Sequence, residues 1–429
     1  MDSAEKINIF WFRRDLRLDD NTALNAALTA GLPVLPLFIF DRNITDDLRN
    51  DDPRITFIYD ALASINKKLA QYGSGILALK GYPEKILKDL VSVYNIDKIF
   101  YNRDYEPYAL ERDNKLTGIL KKRGTLTESF KDQVIFEQKE VVKPDGSPYT
   151  MFTPYKKAWL KKFITLEMQS HGMRGNNFLK HDIRFQELTD VGFRNSSILV
   201  RPYDLSCIRE YDRYRDFPSE DRTTHLGPHL RFGTASIRKI AALAAKENQV
   251  FLGELIWREF FMQILFNFPH VVTGNFRTKY DNVGWRNNED ELGRWCNGET
   301  GYPIVDAGMR QLNETGFMHN RVRMITAGFL CKHLLTAWWY GEAYFAGKLL
   351  DYELSSNNGN WQWVAGTGCD AAQYFRVFNP VYQQKKFDPH DEYVKQWVPD
   401  YNKSNYPRQI VEHSFARERA IEAYRTGIR

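Results

Sequence analysis

The chain is short of the residues that build disulfide scaffolds and metal centres. Four cysteines stand in 429 residues, Cys207, Cys296, Cys331 and Cys369. They are too scattered for a CxxC motif and too few for a disulfide framework, so separate thiols in a reducing compartment are expected. The nine histidines form no HxxxH or HExxH on a predicted helix, and no metal site is expected. Long apolar runs are missing too: the charge-free stretch Asn21 to Phe40 is broken by Asn25, Thr29, Gly31, Pro33 and Pro36, and Phe260 to Phe276 by Gln263, Asn267, Pro269, His270, Gly274 and Asn275. That excludes a membrane span. The opening MDSAEKINIFWFRRDL has no apolar stretch behind a basic lead, so no secretory signal is read and a cytoplasmic protein is expected. With a net charge of +5 and no basic tail, any nucleic-acid site must be a local patch.

What is abundant is aromatic. Aromatic residues make up 14% of the chain and include ten Trp, six of them between Trp285 and Trp363. The first 130 residues alternate short β-rich runs with helical patterns. Ile7 to Phe12, Pro33 to Phe40, Gly75 to Lys80 and Lys98 to Asn102 read as buried strands. Asn21 to Ala30, Asp52 to Tyr72, Pro83 to Tyr94 and Glu106 to Arg123 read as helices between them. The series predicts a parallel α/β sheet covered on both faces, Rossmann-like in pattern. Its first turn, RRDLRLDDN, contains no glycine, so the G-x-G-x-x-G dinucleotide fingerprint is absent. Residues 131–200 are rich in Lys, Pro, Gly and Ser and predict a long connection between domains. From 201 to 429 the spacing is helical, over Ile237 to Glu247, Gly253 to Phe268, Ile304 to Thr315, Asn320 to Leu335 and Ala343 to Leu350. An α/β domain (1–130), a linker (131–200) and a larger all-α domain (201–429) are therefore predicted.

Four segments hold candidate chemistry. In ELIWREFF, Glu254, Trp257 and Arg258 share a helix face. They are either a buried Trp beside an exposed Glu–Arg pair, or a stacking platform beside a proton donor. In HNRVRMITAGFL, Asn320, Arg323 and Met324 share a face with Arg321 turned elsewhere; arginines on so apolar a helix snorkel to the surface or need an anionic partner such as Asp351 or a phosphate. Asp351 to Pro380 combines Asn357, Asn358, Gly359 and Asn360 with Trp361 and Trp363. So much Asn and Gly predicts something other than a core helix, and the indoles something other than a solvent loop. A site for a planar, hydrogen-bonding ligand such as a flavin or an extruded base fits that composition. Thr223 to Ser236 sets hydroxyls and glycines ahead of a helix, as a phosphate-binding or a plain capping loop would. Neither a G-x-S-x-G elbow nor a P-loop occurs.

Taken together, FWFRRDLRLDDNTAL, RDFPSEDRTTHLGPHLRFG, ELIWREFF, WCNGETGYPIVDAGMRQLNETGFMHNRVRMITAGFL and NNGNWQWVAGTGCDAAQYFRVFNP resemble the photolyase and cryptochrome family. Among its members the likeness is closest to class I cyclobutane pyrimidine dimer photolyases. The resemblance implies FAD bound in the helical domain. Tyr211, Thr223, Thr224, Leu226 and Gly227 would line its phosphates and ribityl chain, with Gly227 where relatives often have Ser. Asn320, Arg323, Asp351 and Asn357 would surround the ring system, and Glu254, Arg258 and Glu353 count among the cofactor-binding positions. The implied activity is light-driven repair of a flipped-out dimer in UV-damaged DNA. Glu254 would hydrogen-bond the dimer, Asn357 would face the flavin, and Trp257, Trp363 and Met324 would line the lesion pocket. Arg215, Arg321 and Arg376, with Trp257, Met324 and Trp363, are the implied DNA contacts. Trp361, Trp338 and Trp285 match an electron-hopping triad.

Asn320 and Met324 stand where (6-4) photolyases place histidines, which argues against that lesion. A cryptochrome-type blue-light photoreceptor is the alternative. Tyr108 and Ala109 replace the Asn-Glu pair of folate-binding members, so methenyltetrahydrofolate is disfavoured and any antenna chromophore is of open identity. A monomer with no membrane partner is expected.

Overall fold

The computed structural model describes residues 5–166, 172–181 and 183–428. Alternating apolar side chains build β1 (Lys6–Phe12), β2 (Val34–Asp41), β3 (Leu77–Gly81), β4 (Asn95–Asn102) and β5 (Leu126–Phe130) into one sheet of order β3-β2-β1-β4-β5. Every pairing is parallel. Phe10, Phe12, Phe38 and Phe40 enter the core on one face; Ile9, Trp11, Leu35, Leu37 and Ile39 enter that on the other. This period-two division is what a sheet covered on both sides requires. β5 was not anticipated. Its sequence LTESF lies at the sheet edge with no fully buried residue, so it carries no apolar run to betray it.

The chain divides into two compact units, and each takes several segments. The first contains 1–137, 165–203 and 226–243; the second contains 138–164, 204–225 and 244–429. This differs from the single linker expected over 131–200, and two sets of contacts explain the difference. Within the first unit, Arg238 lies 3.0 Å from Asp20 Oδ2 and 2.8 Å from Asp132 Oδ1, while Arg17 lies 2.6 Å from Asp132 Oδ2. Burial raises the Asp132 carboxyl, but the two guanidinium groups prevail and hold it below the usual range. Within the second unit, the helix Phe152–Ile164 buries Phe152, Tyr155 and Trp159. Trp159 donates to Glu259 Oε1 at 2.6 Å. Its apolar spacing was obscured by Lys156, Lys157, Lys161 and Lys162, which are interspersed among the apolar positions.

The second unit is helical, and no helix among the described residues is long and apolar enough to cross a membrane. Two helices depart from their predicted bounds. Asn320–Gly328 gives way to a π-helical turn, Phe329–His333, instead of running on to 335. Trp338–Lys348 begins five residues before the predicted Ala343, because the Asn287 side chain accepts the Ala337 N–H at 2.9 Å.

The π-turn places Lys332 in the core, donating to the Ala365 carbonyl at 2.7 Å and lying 3.7 Å from the Tyr424 ring centre. Burial pushes its ammonium down to about 7 from 10.5. The unfolded chain therefore binds more protons than the folded one between these values, and stability rises with pH across that window. Lys332→Met, a swap of similar volume, is expected to remove this rise and to stabilise the protein by about 1–2 kcal/mol at pH 7. Urea unfolding of both proteins at pH 7 and pH 9.5 checks it; equal pH slopes would contradict the burial argument.

Candidate functional site

The helix Gln249–Asn267 carries the first group of candidate residues. It starts where the Asn248 side chain accepts the Val250 and Phe251 N–H groups. Glu254, Trp257 and Arg258 do share its face, but each meets a different partner. The Glu254 carboxylate takes the Arg215 guanidinium at 2.5 Å, and Arg258 lies 3.2 Å from Glu353. Trp257 is stacked on Phe152, with ring centres 3.6 Å apart and planes 7° from parallel. The exposed Glu254–Arg258 pair that spacing allowed does not form. Phe152, which sequence reasoning missed, lay hidden in the lysine-rich stretch expected to be a linker.

From Glu254 the contacts continue as a series. Arg215 Nε lies 3.9 Å from Asp216 Oδ1, and Asp216 Oδ1 accepts from Arg321 Nη2 at 2.6 Å. Arg321 Nη1 is then 3.6 Å from the Met324 sulfur. Each arginine also lies over a ring, Arg215 over Tyr211 at 5.1 Å and Arg321 over Phe387 at 4.3 Å. Residues from three separate segments are thus brought together. Asp216 had given no signal of its own. Arg376 is exposed, 5.4 Å from the Phe378 ring.

Leu354–Ala365 is a helix, although its Asn and Gly content had argued against one. Tertiary partners overturn the propensity. Asn358 and Gln362, one turn apart, both donate to the Val271 carbonyl at 2.8 and 3.1 Å, and the Gln362 amide also reaches Asn358 Oδ1. Gly359 admits the Phe261 ring so closely that a Cβ there would sit 2.1 Å from it. Asn357 donates to the carbonyl and the carboxylate of Glu342, at 3.0 and 2.8 Å. Burial raises the Glu342 carboxyl against the opposing Asn357 hydrogen bond. Trp363 is half-buried against the helical core.

The cofactor candidates are tested by their buried polar atoms. Arg323 donates to Asp351 Oδ2 at 2.9 Å and to the Met318 carbonyl at 2.8 Å, so the buried-arginine question is answered by Asp351. Thr223 Oγ1, Asp351 Oδ1 and Ser355 Oγ are buried with no hydrogen-bond partner in the protein. Buried polar groups are almost always satisfied, and a polar cofactor held along these segments would supply the missing partners. Ser355 was missed, since a lone Ser on a first helical turn looks like any other. Thr224 is buried, Tyr211 half-buried, and Asn320 is exposed at the head of its helix. Leu226 is buried and Gly227 opens the short helix Gly227–Arg231.

Trp361 and Trp338 are both buried, and Trp285 is half-buried. Trp361 rests against Gly341, three residues beyond Trp338. Trp338 lies 5.8 Å from Trp339, and Trp339 lies 6.3 Å from Trp285. Trp339, 43% exposed, was not among the expected residues.

The sheet unit has a cavity of ≈ 470 Å³ lined by Tyr82, Lys85, Lys88, Tyr108, Glu111 and Arg112 among others. The Tyr108 hydroxyl donates to Asp41 at 2.5 Å, and burial followed by that carboxylate pushes it up to about 12.

Two family models match the chain: DNA photolyase over residues 8–171 and the FAD binding domain of DNA photolyase over residues 251–404. The deoxyribodipyrimidine photo-lyase of Agrobacterium fabrum is 34% identical, covering 97% of this chain and 97% of its own. A class III photolyase from Agrobacterium tumefaciens superposes with a TM-score of 0.87 at 32% identity, over 100% of this chain and 98% of its own. An archaeal photolyase from Sulfolobus tokodaii, solved with two FAD molecules, does so with a TM-score of 0.85 at 32% identity, over 98% and 100%. With a parallel-sheet unit, an FAD-binding helical unit and likeness along nearly its whole length, the chain belongs to the photolyase and cryptochrome family.

Proposed function

We propose that this protein repairs cyclobutane pyrimidine dimers in DNA under blue light. The observation that carries the proposal is the series Glu254, Arg215, Asp216, Arg321 and Met324. It joins two carboxylates, two guanidinium groups and a thioether in one region, as recognition of a base beside its phosphates requires. Reduced FAD, when bound, supplies light absorption and the electron given to the dimer. Thr223, Thr224, Asp351 and Ser355 hold it through polar contacts. Asn357, steered by Glu342, presents its amide carbonyl oxygen toward the ring system. Trp257, stacked on Phe152 and on Phe261, is held rigidly as an aromatic wall of the lesion pocket. Met324 adapts to the dimer's shape. Glu254 hydrogen-bonds the dimer bases and stabilises charge developing there.

Trp361, Trp338 and Trp285 relay electrons from the surface to keep the cofactor reduced. Any second light-absorbing group fits the cavity of the sheet unit, where Tyr82 and Tyr108 suit a planar molecule and Lys85, Lys88 and Arg112 suit an anionic one. The class I likeness belongs to this proposal, next to a solved class III neighbour.

The test is repair, in light and in darkness, of a cyclobutane thymine dimer and a (6-4) lesion by the FAD-loaded, reduced protein. Restoration of the first alone, and only in light, is the expected result. Repair of neither, with FAD bound and light-responsive, would favour the photoreceptor alternative. Glu254→Ala is expected to keep FAD and lower the repair rate about tenfold, the worth of one charge-assisted hydrogen bond; an unchanged rate would remove Glu254 from the chemistry.

A further inference from the structure

The series that runs from Glu254 to Arg321 does more than gather residues, on the reading that this region receives DNA. Two cations and two anions neutralise one another there. Arg215 and Arg321 are 21% and 18% exposed at their side chains, and Glu254 and Asp216 are 34% and 35% exposed. Both guanidinium groups are fixed, each by a carboxylate and by a ring. A DNA phosphate therefore meets arginines that are already occupied.

We infer that Glu254 and Asp216 store Arg215 and Arg321 as internal ion pairs, and that this storage makes the protein reject undamaged DNA. A phosphate that engages either arginine competes for its single positive charge with the carboxylate already paired to it. An intact duplex offers phosphates alone, so it strands Glu254 and Asp216 as unpaired anions close to further negative charge, which is costly. An extruded dimer brings phosphates and also base-edge N–H groups, and these give Glu254 a new partner. Damaged DNA thus makes good a loss that undamaged DNA leaves open. Asp216 is a positioning residue: it touches no base and acts through Arg321. In this account affinity for intact DNA is limited by the release of the arginines, whose number is unchanged.

The test measures binding of the FAD-loaded protein, in darkness, to an intact duplex and to the same duplex carrying a thymine dimer. Glu254→Gln is expected to tighten intact-duplex binding about tenfold, the scale of one newly available phosphate contact, and to steepen its salt dependence by about one unit of log–log slope. In the Arg215→Ala background the same substitution should change intact-duplex binding little. The preference for the dimer duplex should shrink in Glu254→Gln, because the base contact changes from a charge-assisted hydrogen bond to a weaker neutral one. Asp216→Asn should likewise tighten intact-duplex binding only while Arg321 is present, and Asp216→Glu should restore wild-type behaviour. Gains that persist without the arginine would reduce the effect to general charge repulsion and overturn the inference, as would the absence of any gain. The Asp216 cycle decides the matter should the Glu254 variants fail to fold, with retained FAD absorbance as the check. A wild-type protein that binds both duplexes equally would instead count against the photolyase reading itself.

Discussion

Trp361→Phe is expected to leave FAD bound and to abolish its reduction by blue light with an external donor. Repair by chemically reduced protein should be retained. Trp361 is buried, with ring centres 6.2 Å from Trp295 and 5.0 Å from Phe345. Beyond it the route divides: Trp338 is followed by Trp339, and Trp339 adjoins Trp285. Exposed Trp339 and half-buried Trp285 would both lie at the outer end of the proposed route, whereas buried Trp361 would be its innermost station. A phenyl ring is far harder to oxidise than an indole, so the substitution removes a hopping station while keeping an aromatic side chain in place. The check is bleaching of the oxidised flavin band under continuous blue light; bleaching at the wild-type rate would take Trp361 off the route.

The second large effect is structural. A Cβ added at Gly341 would lie 2.1 and 2.5 Å from the Trp361 ring and 2.6 Å from Leu330. Alanine is the better helix former by about 1 kcal/mol, so propensity alone would make Gly341→Ala stabilising. The overlap outweighs it, because Trp361 is enclosed on its other sides and cannot retreat. A net loss of about 3 kcal/mol is expected, seen as a melting temperature lowered by roughly 5–10 °C. Combining it with Trp361→Phe should recover part of the loss, since the six-membered ring that collides is then absent. A melting temperature unaffected by Gly341→Ala would mean that the core yields more readily than its packing implies.

Four of the strands and the helices between them were legible because burial on both faces writes continuous apolar runs into the sequence. β5 was not, since an edge strand can be polar. The Leu354–Ala365 helix was concealed for a different reason. Its Asn357, Asn358, Gly359 and Asn360 are poor helix formers in isolation, and the bonds of Asn358 and Gln362 to a carbonyl some ninety residues earlier compensate. At the site, the helical spacing of Glu254, Trp257 and Arg258 was readable, whereas their partners were not. That Arg215 would lie on Glu254 and Arg321 on Asp216 depends on segments that meet only after folding. The motifs named positions, and the ion pairs that govern how those positions behave had to be seen.

The interleaving of the two units bears on how the protein is made. Asp20 and Asp132, both buried, are matched by Arg238, which is synthesised more than a hundred residues after either. Until about residue 243 has left the ribosome, the nascent sheet holds carboxylates without one of their cations, and buried unpaired charge is strongly destabilising. A fragment ending near residue 200, where composition alone would cut, leaves the sheet without the segment that closes it. The order of synthesis thus ties completion of the sheet unit to residues that emerge only after two segments of the helical unit have been made.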